Sequence, residues 1–93
     1  MAQFKEVKES ERSAQHIARH GVTLKETREA ILERPHWMVS GRGNTTLIYG
    51  RTYAGRYLFV VVAPANCHPG AAYIVTARDM TPSEKQTFLR KAR

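Results

Sequence analysis

Apolar and polar positions change period several times along this chain, and the longest uninterrupted apolar stretch lies in its second half. From Tyr57 to Ala63 the residues run Tyr-Leu-Phe-Val-Val-Val-Ala, without a charge and with few helix formers. Three consecutive valines and two aromatics favour a pleated strand, where β-branched side chains lose little rotamer freedom. A half-buried strand would alternate polar and apolar residues. This one does not, which predicts an interior strand covered on both faces, with helices on at least one side. Gly55 opens it and Pro64 closes it. Arg56 is the charge held at its mouth.

Around this strand the other elements follow in order. Phe4 to Val7 reads as a short edge strand. From about Glu9 to His20 the chain is polar, with Ala14, Ile17 and Ala18 at helical spacing, and His20-Gly21 supplies a basic last turn and a left-handed cap. Thr23-Leu24-Lys25-Glu26 is a capping box opening a second helix to about Arg34, with Leu24, Thr27, Ala30 and Ile31 inward and Pro35 as the stop. The period then becomes two. Trp37 and Val39 alternate with Met38 and Ser40, Gly41 to Asn44 is a turn, and Thr45 to Thr52 forms the next strand. Tyr53-Ala54-Gly55 turns into the apolar strand. Asn66 to Gly70 is a polar loop, and Ala72 to Ala77 is the last strand. Thr81-Pro82-Ser83-Glu84 is a second capping box, with Pro at the first helical position, and opens a helix to Lys91. Phe88 and Leu89 should face inward there, and Lys85, Arg90 and Lys91 outward. The order predicts an α+β fold: two N-terminal helices, a four-stranded antiparallel sheet with or without the short N-terminal strand, and a C-terminal helix.

Ninety-three residues make one domain, residues 1–93, with room for one modest core. A surface groove suits this size better than an enclosed active site. Fifteen Lys and Arg against eight Asp and Glu leave a net charge of +7. That excess points to nucleic acid, an acidic protein or an anionic membrane surface as partner. The N-terminus has no apolar run behind its charges, so no signal peptide is expected, and the longest apolar run is too short to span a bilayer. Cys67, the one cysteine, excludes an internal disulfide framework and fits a reducing cytoplasm.

Several clusters could carry chemistry. His16 and His20 share a helix face and could chelate a metal with Cys67 or His68 as third ligand. The zincin pattern needs a Glu where Ile17 stands, so a solvated polar face is the stronger expectation, and no metal is assigned. Cys67-His68 would need orienting neighbours to act as a nucleophile pair, and adjacent residues in an extended loop point apart. Arg56 and Arg78 lie near strand ends. If 55–64 and 71–78 pair directly, the two arginines share one edge of the sheet, where two guanidiniums could grip a phosphate. The competing expectation is that each pairs with a carboxylate such as Asp79 or Glu84. Trp37, Tyr49, Tyr53 and Tyr57 could stack bases or simply fill the core.

His20-Gly21-Val22-Thr23 before a Glu-bearing helix, the Gly-Arg-Tyr-Leu-Phe-Val-Val-Val strand, and Ala77-Arg78-Asp79-Met80-Thr81 leading to Glu84 together resemble the BrnT family over about Gln15 to Lys91. These are RelE-like toxins of bacterial type II toxin–antitoxin systems. The resemblance implies a cytoplasmic ribonuclease that arrests translation, on free or ribosome-bound mRNA, without a cofactor. It also implies a cognate acidic, DNA-binding antitoxin through which the complex reaches operator DNA, and no membrane. It maps a catalytic role onto His20, Arg56 and Arg78, with Glu84 either catalytic or only a cap. RNA contacts would fall to His16, Arg19, Arg51 and Lys85. Lys5 to Lys8 departs from the Trp-Asp pair usual in the family. Metal-free cleavage by the 2′-hydroxyl needs a base, an acid and cations on the phosphate, and histidines and arginines supply those groups. A non-catalytic basic binding module of the same fold is the alternative.

Overall fold

In the computed structural model, Leu58, Val60 and Val62 are completely buried, while Tyr57, Phe59 and Val61 between them are only half-buried. The apolar strand is therefore interior, but only one of its two faces is sealed, contrary to the expectation from its unbroken apolar run. The structure describes residues 6–8, 11–64 and 71–92. Phe4 and the whole 66–70 loop, with Cys67 and His68, lie outside the described residues.

The elements are β1 (Glu6–Lys8), α1 (Glu11–Arg19), α2 (Leu24–Leu32), β2 (His36–Ser40), β3 (Thr46–Arg51), β4 (Tyr57–Pro64), β5 (Ala71–Asp79) and α3 (Pro82–Lys91). They form an α+β fold around one five-stranded sheet in the order β1-β5-β4-β3-β2. β2 to β5 pair antiparallel, as expected. β1 pairs parallel with β5, so the sheet is mixed rather than purely antiparallel. Parallel pairing follows from the two helices that separate β1 from the rest, since a parallel neighbour needs a long crossover. β5 extends two residues beyond the expected end, so Arg78 and Asp79 lie within the strand.

The sealed face carries the core. Val7, Ile48, Leu58, Val60, Val62, Ala72, Ile74 and Ala77 from the sheet pack with Ile17, Val22, Ala30 and Ile31 from α1, α2 and their junction. Gly50 of β3 permits the closest approach: a Cβ there would overlap the Ala30 carbonyl of α2. The turn between the helices closes as its sequence predicts. Gly21 has φ 68°, its amide donates to the Ala18 carbonyl, and the Val22 amide donates to the Ile17 carbonyl. That is the Schellman arrangement, with Val22 and Ile17 both buried beneath it. Both capping boxes form, Thr23 with Glu26 and Thr81 with Glu84.

α3 lies on the other face. Phe88 is buried there, its ring edge-on to Tyr57 at 5.7 Å. Leu89, expected inward, is exposed, because neighbouring positions of a helix lie about 100° apart and one sheet face accepts only one of them. A single short helix cannot cover this face. Val39, Leu47 and Val61 stay half-buried, and Tyr73 and Val75 are exposed. Among the described residues no helix is long and apolar enough to cross a membrane.

Candidate functional site

β4 and β5 pair with Leu58 opposite Asp79 and Phe59 opposite Arg78. Cross-strand partners share a face and successive residues alternate. Arg56 therefore stands with Leu58 and Asp79 on the helix-covered face, and Arg78 with Phe59 on the open one. The two arginines do lie at the same end of paired strands, but the sheet separates them, so they do not form the single phosphate clamp expected from the pairing alone. Strand direction determines which ends meet; the pleat determines which face each side chain takes.

On the covered face Arg56 works as a tie. Its Nη1 donates to the Gly21 carbonyl at 2.7 Å and to the Glu26 carboxylate at 3.1 Å. Its Nη2 donates to the His20 carbonyl at 3.3 Å and to Asp79 Oδ2, and its Nε donates to Asp79 Oδ1 at 2.7 Å. One guanidinium thus joins the α1–α2 turn, the first turn of α2 and the end of β5. Its pKa is raised, above all by the Asp79 hydrogen bond. His16, Arg19 and His20 are exposed along the end of α1 beside it. The His16 and His20 rings meet edge to face at 5.4 Å. Among the described residues no group of three His, Cys, Asp or Glu could hold a metal ion.

On the open face Arg78 is gripped by Glu84, Nη1 to Oε1 at 2.8 Å and Nη2 to Oε2 at 3.0 Å, a bidentate pair. Nη1 also donates to the Asp79 carbonyl, and the guanidinium lies 4.3 Å from the Phe59 ring. Glu84 is at the same time the capping-box residue of α3, accepting from the Thr81 amide at 2.8 Å. Lys85 sits 4.4 Å above the Tyr57 ring, with Arg51 at 6.0 Å from it. Neither cation has a carboxylate partner among the described residues. Burial, with Glu84 nearby, raises the Tyr49 pKa.

The expected site residues thus divide. Arg51, Arg78, Glu84 and Lys85 come together on the open face; His16, Arg19, His20 and Arg56 gather at the α1 end of the other. Phe59 was missed. Its register with Arg78 is legible once the β4–β5 pairing is assumed, but nothing in the local sequence distinguishes it from a core aromatic.

Asp79 and Glu84 are both held below the usual carboxylate range, the first mainly by its hydrogen bond from Arg56, the second mainly by that from Arg78. A folded-state pKa below the unfolded value contributes stability that is present above the unfolded pKa and lost as pH falls through the folded one. Melting temperature should therefore fall progressively below about pH 4.5. Arg56→Ala should lose less on acidification than wild type, and parallel pH–melting curves for the two proteins would show that Asp79 contributes nothing.

No family model matches the chain, and a search of curated proteins finds no match. Among solved structures, the crystal structure of the Brucella abortus ribonuclease toxin BrnT is similar, with a TM-score of 0.65 over 82% of this chain and 96% of that one. The sequences are 14% identical across the match, so the likeness is one of fold.

Proposed function

We propose that this chain is a metal-independent endoribonuclease, the toxin of a bacterial type II toxin–antitoxin system. The observation that carries the reading is that the open sheet face, in a fold shared with a ribonuclease toxin, gathers Arg78, Arg51 and Lys85. Arg78 would bind the scissile phosphate and offset its growing negative charge as the 2′-hydroxyl attacks. Glu84, ionised and already within reach of the same guanidinium, would take the hydroxyl proton; as the 2′-oxygen bonds to phosphorus the P–O5′ bond breaks, and the departing 5′-oxygen takes a proton from solvent water. His20 stands beside Asp79 on the other face, and no step is assigned to it. With His16 and Arg19 it adds to the positive surface that attracts RNA. Arg56 is read as a structural tie rather than a catalytic group. No cofactor enters this scheme.

An antitoxin with acidic residues would neutralise the +7 chain. Its own DNA-binding part would carry the pair to operator DNA, and the place of action is the cytoplasm, on free or ribosome-bound mRNA. One feature favours the non-catalytic alternative: Glu84 already occupies the fork of Arg78.

Incubation of the purified protein with RNA in EDTA decides between them. Fragments ending in 2′,3′-cyclic phosphate are expected. Intact RNA, with binding retained, would leave a binding module. Lys85→Ala should weaken RNA binding and reduce the slope of log affinity against log salt by about 0.7, the share of one single-strand phosphate contact. An unchanged slope would remove Lys85 from the RNA path.

A further inference from the structure

Four residues in register cross the open face from strand to strand: Trp37 on β2, Tyr49 on β3, Phe59 on β4 and Arg78 on β5. They form a column. Trp37 stacks on Tyr49 with ring centroids 4.7 Å apart and an interplanar angle of 27°. Tyr49 leans on Phe59 at 5.1 Å, and Arg78 caps Phe59. The column is closed at the Arg78 end. At the other end β2 is the edge strand, and among the described residues Trp37 has no second ring or cation partner. In the next row of the same face Arg51 of β3 pairs with Tyr57, and Lys85 of α3 lies over the Tyr57 ring.

We propose that the outer ring face of Trp37 is a stacking site for one unpaired base of a single-stranded RNA whose scissile phosphate lies at Arg78. The inference rests on the ribonuclease reading and adds a base subsite and a minimum substrate length to it. A planar base continues a column of rings that ends, on the edge strand, in a half-buried indole with no further ring or cation partner among the described residues. A base inside a duplex has both faces covered and cannot do so, whereas aromatic side chains on a sheet hold splayed, unpaired bases. The cations beside the column favour a phosphodiester strand over an uncharged partner. Three strand intervals of about 4.8 Å put Trp37 roughly 14 Å from Arg78. At a stacked rise of about 3.4 Å per nucleotide, that is about four nucleotides, fewer if the strand is extended. A dinucleotide at Arg78 would not reach the indole.

Trp37 is the sole tryptophan, so its fluorescence reports on this site alone. The probe is a 2′-O-methyl hexanucleotide, which lacks the attacking hydroxyl and stays intact. It should quench Trp37, while the same sequence within a long duplex should not. Trp37→Leu should bind the labelled hexanucleotide roughly 5- to 100-fold more weakly by anisotropy, with a smaller loss for the dinucleotide, and Trp37→Phe should recover most of the affinity. Binding without quenching, equal quenching by the duplex, or equal losses at both lengths would overturn the platform. So would quenching by poly-glutamate but not by the hexanucleotide, which would make this face a seat for an acidic protein. Cleavage of the all-ribose hexanucleotide, followed in parallel, separates the two readings. If it is cut while Trp37 stays silent, only the platform falls; if it is neither bound nor cut, both fall.

Discussion

Arg78→Ala should lower RNA cleavage by roughly 10²–10³-fold, the usual cost of removing one donor that acts on the transition state. It should melt within about 5 °C of wild type. The guanidinium is about one-third exposed and its pair with Glu84 is partly screened, so its loss costs about 1 kcal/mol or less. Glu84 keeps its capping bond to Thr81 without it. Arg78→Lys should restore only part of the activity, because a point charge cannot span two phosphate oxygens as the planar fork does. Glu84→Gln completes the test. Glutamine can still close the capping box, so the fold survives, but it cannot accept a proton. Cleavage should fall in that variant too. A rise in RNA affinity in Glu84→Gln, with no cleavage by the wild type either, would mean that Glu84 merely occupies a phosphate seat in a binding module. If Arg78→Ala folds normally and cuts RNA at the wild-type rate, the active site lies elsewhere, and the α1 end with His16, Arg19 and His20 is the next place to test. Single-turnover cleavage and thermal melting of the three variants supply the readouts.

Arg56→Ala has the opposite signature. Its side chain is about one-quarter exposed and ties four groups from three parts of the chain. Removing it leaves the Gly21 carbonyl and two carboxylates without their common donor, a loss of about 2 kcal/mol. For a chain of this size that lowers the melting temperature by about 10 °C or somewhat more. Cleavage per folded molecule, measured well below the transition, should stay close to wild type. Arg56→Lys should recover a minor part of the stability, since one ammonium cannot reach Asp79, Glu26 and the turn together. The outcome that defeats this assignment is a variant that melts normally and cannot cut RNA, which would return Arg56 to the catalytic role that the family resemblance implies.

The contrast between these two arginines marks the boundary of what local sequence carries. Helix ends were legible in Thr23–Glu26, His20-Gly21 and Thr81–Glu84, because caps depend on residues within one turn of each other. Strands were legible as a change of period, and antiparallel neighbours as short connections between them. β1 was the harder case: its parallel partner lies more than sixty residues away, and no local signal specifies it. The same limit governed the faces of β4. Its unbroken apolar run predicts burial on both sides, yet only α1 and α2 together seal a face, and α3 alone leaves the other partly open. Residue type and spacing determined the elements, their caps, the positive charge and which arginines stand near strand ends. Whether Arg56 and Arg78 share a surface was a matter of pleat and register across two strands. Whether Trp37, Tyr49 and Phe59 are core or platform depended on how many helices were left to cover them. Both are properties of the packed sheet, because they arise from pairs of residues far apart in the chain whose side-chain directions are set only when the strands align.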